Sequence, residues 1–314
     1  MRPGGRKGVR RPGDGGPGRP GAEGEAEGGS PGHRPSALQR GLHPKAPGRD
    51  RIPEEGLVPE LPEVETIVRA LRPRVQGRRL LGVDVLDPVL IPGLDGLSIP
   101  SRVRKTSRRG KYILLELEPG VLLVHLRMSG RLLWGKTPPE GRIRLVLRFA
   151  HGNVYLVDQR RLAQVKYLPR FEDGLGPEPL GDLSWLPQAL ARSRMPIKGW
   201  LLDQRKIAGI GNIYASEILF RAGIDPHRPA NSLTPKEVGV LARAIPKVLT
   251  EAIAGKGTTL ADSEYRQPTG ELGGFQLRLS VYGRAGKPCP VCQTPIRRAK
   301  ISGRSTYFCP SCQT

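Results

Sequence analysis

All four cysteines of this 314-residue chain fall in its last 26 residues, spaced Cys289-x2-Cys292-x16-Cys309-x2-Cys312. No disulfide can therefore staple anything upstream, and the residues before 289 must fold on hydrophobic cores of their own. Two Cys-x2-Cys turns at this separation match a four-thiolate site, in which Cys289, Cys292, Cys309 and Cys312 would hold one structural Zn2+. Two disulfides, or a redox pair, are the alternative reading of the same spacing. Zinc binding, on the order of 10–16 kcal/mol, would order a segment too small for a core. Four protein ligands leave no open coordination position, so the ion would be structural rather than catalytic.

The net charge is +22, and basic residues recur along the chain, as in Arg102-Val103-Arg104-Lys105 and Arg297-Arg298-Ala299-Lys300. That excess points to a polyanionic partner, with nucleic acid first. No apolar run is long enough to span a bilayer, and no apolar core follows the basic N-terminus as a signal peptide would require. A cytoplasmic protein without a membrane partner is expected.

Residues 1–57 consist largely of Gly, Pro, Arg and Glu, with sparse apolar residues and no period. Such a segment cannot bury enough surface to offset its ordering entropy, and disorder is expected. It could grip DNA backbone as a basic arm. It could equally not be made at all, if Val58 is written by a GTG start codon.

From Leu61 the apolar residues Leu61, Val64, Ile67, Val68 and Leu71 follow helical spacing. Pro62, Glu63 and Glu65 suit the first turn of a helix, and Pro73 and Gly77 are expected to end it. Pro59 and Glu60 then sit on an extended lead-in. Short apolar runs at Leu80–Val85, Tyr112–Leu117, Val121–Leu126, Ile143–Phe149 and Val154–Val157 predict antiparallel strands and a sandwich. Residues 168–186 are rich in Pro and Gly and read as a linker. Beyond them helices are expected at Ile197–Asp203 and Ile213–Ala222, the second closed by Gly223. Thr234-Pro235-Lys236-Glu237 is a capping box opening a helix to about Ile253, with a kink expected at Pro246. The polar, glycine-containing stretch 255–274 is long enough to suggest a functional or mobile loop.

Five segments together resemble the formamidopyrimidine-DNA glycosylase family of bacterial base-excision repair, over essentially the whole chain from Pro59 to Gln313. Pro-Glu-Leu-Pro-Glu-Val-Glu-Thr at 59–66 resembles its N-terminal motif, and Arg108-Arg109-Gly110-Lys111-Tyr112 its lysine-bearing strand. His125-Leu126-Arg127-Met128-Ser129-Gly130 is similar to its void-filling loop. Gly209-Ile210-Gly211-Asn212-Ile213-Tyr214-Ala215-Ser216-Glu217 is similar to the turn of its helix–two-turn–helix motif, and the cysteine spacing to its zinc finger.

The resemblance implies four catalytic residues. Pro59 would be the nucleophile, through the secondary amine of an N-terminal proline. A free α-amino group has a pKa of about 8, so part of it is neutral at physiological pH. A proline amide inside a chain has neither N–H nor basicity, so this chemistry favours a start at Val58 and removal of the initiator. Glu60 would be the acid/base partner, which requires burial or DNA phosphates to raise its pKa. Glu63 and Glu65 are read as structural or supportive. Lys111 would contact backbone phosphate and donate a proton during β-elimination, and Arg304, between the cysteine pairs, would assist δ-elimination.

The base must leave the stack, and the hole must be filled. By resemblance Met128 is the plug, Arg160 meets the orphaned base and Leu162 is the wedge. Asn212 should bind phosphate at a helix N-terminus, with Arg194 a weaker candidate. Here the chain departs from the family, which commonly has Pro and Phe at Gln159 and Leu162, and Gly at Arg127 and Ala163. A family histidine segment has no counterpart near Glu140–Arg144.

The fold expected is α+β and multidomain: an N-terminal catalytic β-sandwich with flanking helices (58–170), a linker (171–187), a helical helix–two-turn–helix domain (188–275) and a C-terminal zinc finger (276–314). The function implied is a bifunctional DNA glycosylase and abasic-site lyase, acting as a monomer on oxidised purines in damaged double-stranded DNA. An endonuclease VIII type preferring oxidised pyrimidines is the nearest alternative. A non-catalytic lesion-binding protein would follow if the arm is retained, and a zinc-ribbon transcription factor would leave the Pro59 motif unexplained.

Overall fold

A computed structural model of the chain describes residues 58–89, 91, 94–260 and 265–314. The arm expected at 1–57 and part of the 255–274 loop lie outside the described residues. Among these, no helix is long and apolar enough to cross a membrane.

The first helix, α1 (Leu61–Val75), buries the predicted stripe Leu61, Val64, Ile67, Val68, Leu71 and Val75. It does not end at Pro73, which sits in its last turn. Proline removes one N–H, and its acceptor four residues back belongs to exposed Arg69, where water can satisfy it. The chain turns away at Gly77, whose φ of +80° glycine adopts freely.

Ten strands follow: β1 (Arg79–Leu80), β2 (Gly82–Val85), β3 (Ser101–Arg102), β4 (Lys105–Arg109), β5 (Tyr112–Glu116), β6 (Val121–His125), β7 (Gly130–Gly135), β8 (Ile143–Phe149), β9 (Gly152–Asp158) and β10 (Gln164–Leu168). Two four-stranded antiparallel sheets, β10-β6-β5-β4 and β2-β8-β9-β7, form the sandwich, and β1 pairs with β3 apart from them. Leu80–Val85 thus divides between two sheets rather than forming one strand. Ile113, Leu115, Leu122 and Val124 meet Leu132, Leu145, Leu147 and Leu156 in the core. Lys105–Arg109 holds no apolar residue, yet it pairs as an edge strand because β5 supplies the ladder, as β6 does for the edge strand Gln164–Leu168.

The second half is helical: α2 (Leu186–Ala191), α3 (Ile197–Leu202), α4 (Asn212–Ala222) and α5 (Pro235–Ala254). The Thr234 and Glu237 side chains cap α5 reciprocally, and the helix runs unbroken through Pro246. Its core includes Trp200, Ile213, Tyr214, Ile218, Leu241, Ile245 and Leu249, and it also takes in Leu61. The first residue of α1 is therefore plugged into the helical core, while Val64 onward belongs to the sandwich.

The segment 169–185 holds no helix or strand, α2 begins at Leu186 inside the linker expected at 171–187, and the segment is tied down. Glu178 accepts from both nitrogens of the Arg108 fork (3.1 and 2.7 Å), from Arg109 (3.2 Å) and from the Gly110 N–H (2.7 Å). Asp173 takes Arg109 as well. The linker thereby fixes the β4–β5 turn that carries Lys111. The 255–274 stretch is also held: Tyr265 is buried in the sandwich core, and Trp134 N–H donates to the Pro268 carbonyl at 2.8 Å.

The chain ends in the hairpin β11 (Arg297–Ile301) and β12 (Arg304–Phe308), joined by Ser302 and Gly303 with φ of +49° and +77°. Two left-handed residues make the tight hairpin turn whose twist matches its strands. Arg304 begins the return strand.

Candidate active site

Glu60 is the residue on which the two halves converge. Leu61 N–H donates to the Gly209 carbonyl (3.0 Å), holding the start of α1 against the turn before α4. Gly209 has φ +85°, and a Cβ there would lie 2.8 Å from the Leu61 side chain, so only glycine fits. Gln204 stitches the same turn, accepting from Gly209 N–H (2.8 Å) and donating to the Ile210 carbonyl (2.7 Å).

The Glu60 carboxylate then lands on the N-terminus of α4. It accepts from the backbone N–H groups of Gly211 (2.7 Å), Ile213 (2.8 Å) and Tyr214 (3.3 Å). These are donors a helix start leaves unsatisfied, at the positive end of its dipole. Gly211 admits the carboxyl by lacking a side chain: a Cβ would stand 2.4 Å from Glu60 Cδ. Burial pushes the Glu60 pKa up, against the opposing pull of Lys111 and the three N–H groups.

Glu63, expected only to support the helix start, is 2 % exposed and lies in the same network. It accepts from Glu60 N–H (2.9 Å), Thr258 N–H (2.7 Å) and the Tyr214 hydroxyl. Burial, and then the charge of Glu60, raise its pKa to about 7. The Tyr214 hydroxyl is pushed well above its ordinary value by burial and by Glu63.

Glu60, Lys111, Asn212 and Arg304 line one cleft of about 280 Å³ with Val58, His125, Arg127, Leu202, Gln204, Gly211 and Tyr282. Lys111 is lowered by burial, which Glu60 and Glu63 oppose. Asn212 opens α4, and its side-chain oxygen is buried without a partner among the described residues. Pro59 is half-buried between Val58 and Glu60, and its nitrogen is an amide in this chain.

Sequence reasoning gives His125 no role of its own, although it opens the void-filling motif. It accepts the Arg127 N–H on Nδ1 (3.0 Å), which places the neutral ring's proton on Nε2. Burial, Arg127 and Lys111 lower its pKa to about 4.

Met128, Arg160 and Leu162 do not line this cleft. They occupy two neighbouring turns, β6–β7 and β9–β10, tied together by fully buried Asp158. Its carboxylate accepts from the Ser129 hydroxyl and from the N–H groups of Arg160 (3.1 Å), Leu162 and Ala163 (both 2.7 Å). Met128 and Leu162 are half-buried and Arg160 is exposed. Arg194 is exposed on the turn between α2 and α3, away from the cleft. Nothing local marks the contacts of Glu63 with Thr258, of Tyr214 with Glu63, or of Glu178 with Gly110, because these partners lie far along the chain. Asp158 beside an arginine loop was the nearest available signal.

The Sγ atoms of Cys289, Cys292, Cys309 and Cys312 all lie within 4.8 Å of one another. The closest pairs stand at 3.4 and 3.9 Å, far beyond a disulfide bond of about 2.05 Å. Thiolates about 2.3 Å from a central ion, as in tetrahedral zinc, need spacings of this size. The donor set fits one structural zinc. Cys289 and Cys309 are part of the helical core, which couples the finger to the helices.

Three family models match in chain order. They are the formamidopyrimidine-DNA glycosylase N-terminal domain at residues 58–165, the formamidopyrimidine-DNA glycosylase H2TH domain at 175–263, and the zinc finger found in FPG and IleRS at 286–314. The formamidopyrimidine-DNA glycosylase of Thermus thermophilus is 46% identical over 267 residues, covering 82% of this chain and 98% of its own. The crystal structure of the MutM (Fpg) protein from the same organism superposes with a TM-score of 0.75 at 43% identity, covering 81% of this chain and 98% of that one. A wild-type Lactococcus lactis Fpg bound to DNA containing N7-benzyl-Fapy-dG gives a TM-score of 0.75 at 32% identity, covering 82% and 100%.

Proposed function

Because the chain belongs to the formamidopyrimidine-DNA glycosylase family, and so is a DNA glycosylase of base-excision repair, we propose that it acts as a monomer on damaged duplex DNA, excises oxidised purines and then cleaves the strand through an imine on Pro59. One observation carries this reading: Glu60, Lys111 and Arg304 meet at one cleft, with Glu60 buried and Pro59 directly before it.

The Pro59 amine lone pair attacks C1′ of the extruded nucleotide, the bond from C1′ to the base breaks, and the base leaves with that electron pair and takes up the proton that the amine gives up. Glu60, whose pKa burial raises, hands a proton to the ring oxygen as the sugar opens, leaving an iminium at C1′. The iminium acidifies C2′. Loss of that proton expels the 3′ phosphate, and a second elimination expels the 5′ phosphate. Lys111 and Arg304 hold the leaving phosphates and compensate their charge, and Asn212 binds a flanking phosphate at the start of α4. Met128 fills the vacated stack while Arg160 and Leu162 meet the opposite strand, the two turns moving as one body through Asp158. The zinc, when bound, supplies no chemistry of its own. It braces the hairpin that presents Arg304.

This mechanism requires Pro59 to be the first residue, and hence translation from Val58. In support, the N-terminal family model begins its match at residue 58. The relatives are covered over 98–99% of their lengths, yet match only 82% of this chain, the share that residues 58–314 make up.

N-terminal sequencing of the protein made in its own cell, with borohydride trapping on 8-oxoguanine duplex, tests the reading. A chain beginning at Pro59 that forms a covalent adduct is expected. A chain beginning at Met1 that binds lesion DNA but traps nothing would make it a lesion-binding protein. Faster excision of thymine glycol than of 8-oxoguanine opposite cytosine would move it to the endonuclease VIII type.

A further inference from the structure

Among the described residues, Arg127 has no carboxylate partner. It stands in the β6–β7 turn with φ +53°, a left-handed conformation that glycine adopts freely and arginine does not. It is exposed, and it lines the cleft together with Lys111, Asn212 and Arg304. Among the described residues its side chain has one hydrogen-bond partner, the Gln164 amide oxygen at 3.0 Å, and no carboxylate within 4.0 Å. Arg108, Arg109 and Arg144 are by contrast neutralised: Arg108 is paired with Glu65 and Glu178, Arg109 with Asp173 and Glu178, and Arg144 with Asp87.

The position of Arg127 is also determined rather than incidental. Its N–H is held by His125 Nδ1, and Gln164 lies opposite His125 in the β10–β6 register. Backbone and side chain are therefore tied to paired residues at one end of the β10–β6 ladder. A guanidinium has five N–H donors in a planar fork, and Gln164 engages one nitrogen, so the remainder can take a phosphodiester.

We propose that Arg127 is an additional phosphate-binding residue of this chain, held by Gln164 to grip the DNA backbone beside the extruded nucleotide. The inference rests on the DNA-repair reading of the cleft. It adds a third cation to Lys111 and Arg304, placed on the turn that carries Met128. Phosphate contact and stack filling are thus coupled through adjacent residues.

The test compares the full chain with Arg127→Gly, Arg127→Lys and Gln164→Ala in binding a duplex that carries a tetrahydrofuran abasic analogue, over a salt series. Glycine suits the backbone at this φ, so the Arg127→Gly chain is expected to unfold at the same temperature or higher. Its dissociation constant should rise about tenfold at low salt, and the slope of log Kd against log salt should fall by about one. Arg127→Lys should keep the slope. Gln164→Ala should keep the slope and weaken binding about two- to threefold, because the charge survives while its brace is lost. An Arg127→Gly chain with unchanged affinity and slope would overturn the proposal. So would weaker binding at an unchanged slope, which would mean that the residue shapes the turn and does not meet phosphate. Failure of the unaltered chain to bind the duplex would overturn the DNA-repair reading itself, and this inference with it.

Discussion

The Glu60 carboxylate accepts the Gly211 N–H at 2.7 Å, joining residues 151 positions apart at the first turn of α4. This contact sets where the acid stands and what surrounds it. Glu60→Gln keeps an amide oxygen for the helix N-terminus but cannot give up a proton as an acid. It should lower single-turnover base release by about 10²–10⁴ while the melting temperature stays within a few degrees. Normal release by this variant would remove Glu60 from the chemistry.

Gly211→Ala probes the same contact from the other side. The new methyl would stand 2.4 Å from Glu60 Cδ, so the carboxyl must leave α4. We expect a loss of about 1–3 kcal/mol in urea unfolding, with base release falling alongside. A fully stable and active variant would contradict the tight seat.

Glu63 should make stability depend on pH. Its folded pKa is about 7, against an ordinary value of 4.5. The folded state therefore holds the proton more tightly, and stability present below about pH 4.5 is lost as pH rises through about 7. His125 works in the opposite sense: its pKa falls from 6.5 to about 4, so its contribution is lost as pH drops through that range. Comparing the unaltered chain with Glu63→Gln cancels the histidine. The unaltered chain should lose more unfolding free energy between about pH 5 and about pH 8, and parallel pH curves would rule out Glu63 as the cause.

Zinc removal should act beyond the finger, because Cys289 and Cys309 are buried in the helical core and Arg304 rides on the hairpin. Metal analysis should find one zinc per chain. Chelation should lower the unfolding midpoint and weaken lesion-DNA binding by about tenfold or more, with recovery on adding zinc back. DNA binding that survives complete loss of the metal would show that Arg304 needs no zinc brace.

Asp158→Ala should release the β6–β7 and β9–β10 turns at once. Its carboxylate serves a hydroxyl and three N–H groups in a fully buried setting. Orphaning them should cost about 1–3 kcal/mol or more in unfolding free energy. Discrimination between bases opposite the lesion should weaken more than it does for Met128→Ala alone. If opposite-base preference is untouched, the two turns do not act as one unit.

The residues that the proposed mechanism uses are legible because each lies in a short local pattern. Glu60 precedes an acidic helix start, Lys111 follows a glycine turn, and Arg304 sits between cysteine pairs. The apolar stripe of α1 and the capping box of α5 were equally plain. Strands β4, β7 and β10 are not: β4 holds no apolar residue, and the short apolar stretches of β7 (Leu132-Leu133-Trp134) and β10 (Val165, Tyr167 and Leu168) become strands by pairing with β9 and β6. Pro73 looks like a helix end in the sequence because the pattern does not say that the orphaned carbonyl faces water. Glu63 was undervalued for a similar reason: a carboxylate in a first turn looks alike whether it faces solvent or Tyr214 and Thr258.

The sequence by itself determined the zinc ligand set, most of the helices, and the order of segments that carries the family membership. These depend on residues within a few positions of one another, where backbone geometry and ligand spacing are settled locally. Only the tertiary structure decided the raised pKa values of Glu60 and Glu63, the clamp of Glu178 on the Lys111 turn, and the coupling of the Met128 turn to the Leu162 turn through Asp158. Burial and long-range hydrogen bonds depend on what packs from the other half of the chain. A carboxylate's charge follows those surroundings more than its neighbours in sequence.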